Sequence, residues 1–398
     1  MKRGVAITGM GIISAIGTNV EENMTALLFS KTGIGEISNI TTRHQKDIKV
    51  GEVANTNSQI AKSLQLPENT IFSRSALLGS LAAKQALENA QIERISEYRT
   101  GLVSSTTVGG MDLTEKHYKT FQSNPETLKY LKSHPAGDST QKIAEQLGIT
   151  EFVTTISTAC SSAANAIMLG ARLIKAGKLD RVIVGGTDCL SKFTINGFKT
   201  LMILSNENCT PFDANRKGLN LGEAAAYLVL ESEAVIKKAN KKVLGYVSGY
   251  ANANDAFHQT ASSAEGEGAF LAMQKALKVA NLQPEEIDYI NAHGTATLNN
   301  DLSESVAIKR IFGDAVPDFS STKALTGHTL AAAGAIEAVY SIVSLQEQCV
   351  FPNVNFKQPI PELNIPPAVK FQKKKVRHVM SNSFGFGGNC SSLIFSSE

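Results

Sequence analysis

The sequence predicts an α/β fold assembled from two similar halves. Glycine-punctuated runs of β-branched and aliphatic residues alternate with alanine-rich stretches of helical period, and the alternation resumes after a charged stretch at residues 231–242. Each series also contains a strand that runs through a Cys or a His into a helix of small residues. A chain of 398 residues has ample material for such a core.

The elements follow in order. Residues 4–8 read as a buried first strand closed by a tight turn at Gly9 and Gly11. Residues 74–89, RSALLGSLAAKQALEN, carry the helical period. Strands are expected at 99–104, 153–157, 181–184 and 225–230, with a helix at 161–175. The second series has a strand at 243–250, a helix at 266–280, a strand at 287–292 and a helix at 330–346. The cut falls near residue 245, giving an N-terminal half, 1–245, and a C-terminal half, 246–398. In the first, residues 153–157 lead through Cys160 into SSAANAI; in the second, residues 319–322 lead through Gly327 and His328 into LAAAGAIEAVYSIVSL. A duplication would aim Cys160 and His328 at one place, although ordinary α/β alternation produces such helices as well.

Composition removes several classes. A net charge of +3 with 19% charged residues is too balanced for a nucleic-acid surface, and the runs KKANKK and KKKVR read as solvated faces. Five scattered cysteines without a C-x-x-C imply neither a disulfide framework nor a zinc site, and suit a reducing cytoplasm. The start MKRGVAITGMGIISAIG imitates a signal peptide, but Gly4, Gly9, Gly11 and Gly17 interrupt its apolar part. Residues 330–345 are broken by Glu337 and fall short of a membrane span. The partial G-x-G at Gly9 has Ser14 in place of a third glycine, which argues against a dinucleotide site.

The chemistry-bearing candidates are Cys160, His293, His328, Lys323 and the glycine loop of Ser381-Asn382-Ser383-Phe384-Gly385-Phe386-Gly387-Gly388-Asn389. A cysteine before a helix faces unpaired N–H groups and a positive dipole end, which favour a thiolate. Taken alone, a cysteine in apolar surroundings is more often core filling. Two histidines in strand-to-helix turns, and a loop able to offer backbone N–H groups to an oxyanion, give it partners. Asp301 and Glu304 sit at i and i+3, yet the histidines lack paired spacing, so no metal-ligand motif emerges.

The motifs TACSS, NAHGTAT, TKALTGH and NSFGFGGN, in that order, resemble the β-ketoacyl-acyl carrier protein synthases of the elongating, Cys-His-His branch. The resemblance runs from VAITGMG through PFDANRKGLNLGEAA to SLIF. It implies the thiolase-like fold, duplicated βαβαβαββ halves in five αβαβα layers, as a homodimer. It further implies an acyltransferase that joins an acyl thioester, held on Cys160, to malonyl-acyl carrier protein with loss of carbon dioxide. His293 and His328 would serve decarboxylation, Lys323 and Glu337 would tune that pair, and Phe386 would gate the acyl pocket and share an oxyanion hole with Cys160. Thr295 and Thr297 would hold the phosphopantetheine arm, and Val108 would line the acyl pocket near the dimer interface. No cofactor is implied beyond the phosphopantetheine of the carrier. Leu298 and Ala224 depart from the family's usual proline and glycine, and residues 65–77 lack its basic docking cluster. The same condensation in aryl-polyene or other polyketide assembly, with a heterodimeric partner, is an alternative to fatty-acid elongation. A silent chain-length-factor-like partner is opposed by the retained Cys160, and a thiolase or initiating synthase by the second histidine in TGH.

Overall fold

The computed structural model describes residues 4–67 and 69–397; Met1, Lys2 and Arg3, which begin the segment weighed as a signal peptide, and Glu68, within residues 65–77, lie outside the described residues. Ten strands make the main sheet. The first five are β1 (Val5–Ser14), β2 (Thr100–Ser105), β3 (Phe152–Ile156), β4 (Arg181–Asp188) and β5 (Ala224–Glu231). The second five are β6 (Gly245–Asn254), β7 (Tyr289–Asn291), β8 (Asp318–Ser320), β9 (His378–Gly385) and β10 (Asn389–Ser396).

Their order is β8-β7-β9-β10-β6-β1-β5-β4-β2-β3. From the middle outward each half reads the same way: the first strand, then the fifth, fourth, second and third. The pairings match too, antiparallel between first, fifth and fourth strands and parallel between fourth, second and third. The halves meet where Val5, Ala6 and Ile7 of β1 pair with Val247, Tyr246 and Gly245 of β6.

Six helices complete the repeat: α1 (Arg74–Asn89), α2 (Ala136–Leu147) and α3 (Ser162–Lys175) in the first half, then α4 (Glu267–Ala280), α5 (Leu298–Phe312) and α6 (Ala333–Glu347) in the second. Each half is therefore βαβαβαββ. α1 packs on β1, β4 and β5, α4 on β6 and β10, and α3 and α6 lie against each other between the two halves of the sheet. This is the five-layer αβαβα arrangement of the thiolase-like fold. The middle layer is legible in composition: Ala163, Ala164, Ala166 and Ala171 of α3 are wholly buried, and α6 is buried from Ala333 to Leu345. A helix apolar on all sides belongs in an interior, and small side chains let it fit between two sheets.

Several expectations need revision. Gly9 and Gly11 form no turn; they lie inside β1, where an added Cβ would sit 2.3 Å from the Ala86 carbonyl oxygen and 2.1 Å from that of Ala82. Their role is close approach of α1 to the sheet. The charged stretch at 231–242 folds as a helix, Glu233–Ala239, capped by Ser232. Glu231 itself is buried, where its carboxylate accepts from Arg181 and Thr8 and ties β5 to β4 and β1. The lysine runs are partly paired, Lys237 with Glu233, Lys373 with Glu347 and Lys374 with Asp318. No described helix is long and apolar enough to cross a membrane.

Candidate active site

The three candidates converge. β3 ends at Ile156, and the chain turns through Ala159, whose φ of +52° is strained for a residue with a Cβ, to present Cys160 two residues before α3. His293 stands two residues beyond the end of β7, and His328 follows Gly327 on the approach to α6. His328 Nε2 lies 3.0 Å from Cys160 Sγ. The two imidazoles meet edge to face, with centroids 5.4 Å apart and planes at 88°. One donor atom from each of the three side chains falls within 4.8 Å of the others. Cys160 comes from the first half and both histidines from the second.

Backbone hydrogen bonds hold each histidine. The His328 N–H donates to the Asn220 carbonyl and its own carbonyl accepts from the Gly222 N–H. For His293 the anchor is a carboxylate: Glu304 accepts from the N–H groups of His293 at 2.9 Å and Gly294 at 2.8 Å, and from the Asn382 amide at 3.2 Å. Asp301 accepts from the N–H groups of Ala296 and Phe212. The i, i+3 carboxylates of α5 therefore face the loop backbone and do not join the cysteine and histidines as a ligand set. This positioning role was missed in sequence, where an acidic pair one turn into a helix after NAHGTAT was the available signal. Gly294, at φ +37°, could not carry a side chain, because its Cβ would lie 2.5 Å from that of Ser321. We expect Glu304→Ala to orphan two buried N–H groups and lower unfolding stability by about 1–3 kcal/mol for each, measured by denaturant titration.

Lys323 and Glu337 form a buried ion pair behind the site. Burial pushes the Glu337 carboxyl up to about 7 against the pull of Lys323. Burial first, and Lys323 second, hold both imidazoles well below the ordinary histidine value. Both are neutral at neutral pH. The thiol departs from expectation. Burial drives Cys160 up to about 11, overriding the downward pull of Lys323 and of the Phe386 N–H. The helix start does not produce a resting thiolate, because burial, with a smaller push from the nearby Asp188 carboxylate, penalises the charge more than a dipole end relieves it. His328, at hydrogen-bond distance, is then the group placed to take the proton.

The three side chains open into a cleft of about 240 Å³, also lined by Thr295, Thr297 and residues 384–388, with Met202 and Leu298 exposed at its mouth. Thr295 and Thr297 present hydroxyls 3.0 Å apart. Phe386 stacks on Phe198 at 5.9 Å. Gly385 passes so close to the nucleophile that an added Cβ would be 3.0 Å from the Thr158 carbonyl and 3.1 Å from the Cys160 nitrogen. Val108 does not line this cleft; it packs, half-buried, into a neighbouring apolar cluster that includes Phe198 and Ile203.

Comparison with known proteins agrees with this architecture. Residues 2–235 match the family model "Beta-ketoacyl synthase, N-terminal domain" and residues 244–357 match "Beta-ketoacyl synthase, C-terminal domain". The 3-oxoacyl-[acyl-carrier-protein] synthase 2 of Staphylococcus aureus (strain COL) is 33% identical over 98% of this chain and 97% of its own. Nodulation protein E of Rhizobium meliloti (strain 1021) is 34% identical over 99% of each. Among solved structures, the ishigamide ketosynthase/chain length factor superposes with TM-score 0.94 at 28% identity over all of both chains. The ketosynthase ApeO in complex with its chain length factor ApeC from Xenorhabdus doucetiae does so with TM-score 0.88 at 33% identity, covering 100% of this chain and 98% of that one. A cysteine and two histidines brought together across a duplicated sheet, in a chain matched in both halves and over nearly its full length, place this protein in the beta-ketoacyl synthase family.

Proposed function

We propose that the chain catalyses the decarboxylating Claisen condensation of an acyl group on Cys160 with malonyl-acyl carrier protein, giving a β-ketoacyl carrier protein in fatty-acid chain elongation. The observation that carries this reading is the 3.0 Å approach of His328 Nε2 to Cys160 Sγ with the His293 ring beside it. The Cys160 sulfur attacks the acyl thioester carbonyl while its proton passes to His328, and the thioester C–S bond to the carrier breaks. The carrier thiolate leaves with that proton. The N–H groups of Cys160 and Phe386, which face the sulfur, would stabilise the oxyanion.

Malonyl thioester then enters the cleft with its carbonyl oxygen between the two imidazoles. Its carboxylate leaves as carbon dioxide, and N–H donors from His293 and His328 stabilise the enolate oxygen. The enolate carbon attacks the acyl-Cys160 carbonyl, a carbon–carbon bond forms, the thioester C–S bond to Cys160 breaks, and the departing thiolate takes a proton from water to restore the thiol. Burial, reinforced by Lys323 with Glu337 bracing it, keeps the imidazoles neutral so that they act as hydrogen-bond donors. Thr295 and Thr297 would hold the phosphopantetheine arm, Phe386 would gate the pocket, and Val108 would lie beside the deeper acyl chain. No bound cofactor enters these steps; the phosphopantetheine belongs to the carrier.

The partner is an acyl carrier protein in acyl and malonyl forms, and the assembly is a homodimer or a heterodimer with a ketosynthase-like chain. A solved neighbour at 26% identity and TM-score 0.90 is a type II polyketide synthase acyl carrier protein in complex with its ketosynthase, which supports both the carrier and a second reading in specialised polyketide or aryl-polyene assembly. The similarity to a ketosynthase paired with a chain length factor favours the same alternative. A silent partner is disfavoured, because Cys160 is both present and within reach of His328. We place the boundary between the halves near residue 245, and the reaction in the cytoplasm, a setting consistent with five unpaired cysteines.

The test is incubation with acyl and malonyl carrier proteins, followed by mass spectrometry of Cys160 and of the products. A β-ketoacyl product with acyl-Cys160 as intermediate supports the reading; condensation without acylation of Cys160 overturns it. Conjugated products from a reconstituted system would select the specialised pathway. The depressed histidine values also set a pH dependence. Below about pH 6.5 the native imidazoles hold fewer protons than unfolded ones, so their stabilising contribution is present above that value and lost as pH falls toward the native ones. Malonyl decarboxylation is accordingly expected to stay flat from about pH 8 to about pH 6. An acid limb centred on the ordinary histidine value would contradict it.

A further inference from the structure

A second buried carboxylate lies near the nucleophile and has no part in the steps above. Asp188 ends β4, is 0% exposed, and lies close enough to Cys160 to raise its thiol. Its Oδ1 accepts from the Thr106 hydroxyl and from the N–H groups of Thr107 and Val108. Its Oδ2 accepts from the Thr107 hydroxyl and, at 2.9 Å, from the Ala331 N–H. Thr106, Thr107 and Val108 follow β2 in the first half of the chain. Ala331 belongs to the second half, three residues after His328.

Two further features give this tie mechanical meaning. Leu330, between His328 and Ala331, has φ +54° although it carries a branched side chain, a conformation that persists only when its surroundings enforce it. The enforcing contacts are the burial of Leu330 in an apolar cluster and the Asp188 bond to the next N–H. Val108 packs on that same cluster, together with the cleft-wall residues Phe198 and Ile203. An acyl chain pressing on this wall and the imidazole beside the sulfur are thus braced by one carboxylate.

We propose that Asp188 is a positioning residue of the condensation, its buried carboxylate holding the loop that ends at Val108 and the turn that carries His328 in fixed relation across the seam between the halves. The inference rests on the functional reading above. It predicts different effects for two substitutions. In Asp188→Asn the amide NH2 must replace one oxygen. Hydroxyls can turn to accept from it, but backbone N–H groups cannot, so the orientation that loses least faces the NH2 toward Ala331. The loop stays held and the His328 turn is released. Thr107→Val, at an exposed position, instead removes one bond from the loop side.

For Asp188→Asn, kcat for malonyl decarboxylation should fall roughly 10–100-fold, with KM for malonyl carrier protein changed less than about two-fold, the signature of a misplaced group. In the same variant the Ala331 amide should exchange hydrogen faster while the Val108 amide keeps its protection. Thr107→Val should leave decarboxylation in place and shift the ratio of kcat/KM between short and long acyl carriers by about three-fold or more. Folded Asp188→Asn with wild-type kcat overturns the proposal, as does a change confined to KM; if that variant does not fold, unchanged chain-length preference in Thr107→Val overturns it. Wild-type protein that neither decarboxylates nor condenses would count against the functional reading instead, and the exchange measurement, which needs no substrate, would still show whether the tie exists.

Discussion

Replacing the nucleophile separates the two chemistries: Cys160→Ala is expected to lose condensation by at least about 10³-fold while still releasing carbon dioxide from malonyl carrier protein. The sulfur is the only covalent acceptor in the proposed sequence, so without it the enolate has no electrophile. Decarboxylation asks only for the paired imidazoles, and these are held by the Asn220 carbonyl, Gly222 and Glu304 rather than by the thiol. Measuring β-ketoacyl product and carbon dioxide in the same reaction checks both halves of the statement. Condensation surviving in Cys160→Ala would remove the basis of the mechanism.

The second large effect concerns the ion pair behind the histidines. Glu337→Gln preserves shape but leaves the Lys323 ammonium buried opposite a neutral amide, and breaking one side of a buried pair costs about 3–5 kcal/mol. The double replacement Lys323→Met with Glu337→Leu should recover most of that stability and little of the activity, because the Lys323 charge, which adds to burial in disfavouring imidazolium at His293 and His328, is gone. The sign of the pH dependence follows. The Glu337 carboxyl is raised from about 4.5 to about 7, so over that interval the native protein retains a proton the unfolded chain has lost. Its contribution to stability is therefore present below the lower value and fades as pH rises through the upper one. Glu337→Gln removes that slope. Unfolding titrations across the interval test this, and a slope unchanged by the substitution would count against it.

Much of the architecture was legible because interior layers write themselves into composition. The helix 74–89 could be bounded to the residue, since its alanine stripe starts after Ser73, whose side chain caps it. α6 announced itself as apolar on all sides, and the Cys160 and His328 turns, read as equivalents, do lead into equivalent central helices. α2 and α5 were not anticipated. The sequence of α5, LNNDLSESVAIKRIF, shows little contrast between its faces because Asp301 and Glu304 are spent inward on a loop. The glycines of β1 were misread because a close approach between helix and sheet looks the same in sequence as a turn. The thiol was misjudged for a different reason: dipole position can be inferred from order along the chain, whereas burial depends on what the second half of the chain lays over the sulfur. Lys323 and Glu337 are 14 positions apart and were paired only through the family resemblance. Nothing in the sequence pointed to Asp188.

The seam between the halves gives catalysis a failure mode distinct from unfolding. One repeat supplies the sulfur and the other supplies both imidazoles, and their junction includes a strand pairing of three residues, a shared pair of central helices, and buried hydrogen bonds such as those of His328 to Asn220 and of Ala331 to Asp188. A rigid-body slip of about an ångström between repeats would leave the outer cores around α1 and around α4 nearly intact, would shear the shared central core, and would cost on the order of 10²-fold in rate. Turnover in such a molecule reports registration between two duplicated bodies, much as a vernier reports the offset of two scales, and it will vanish while each scale is still perfectly readable.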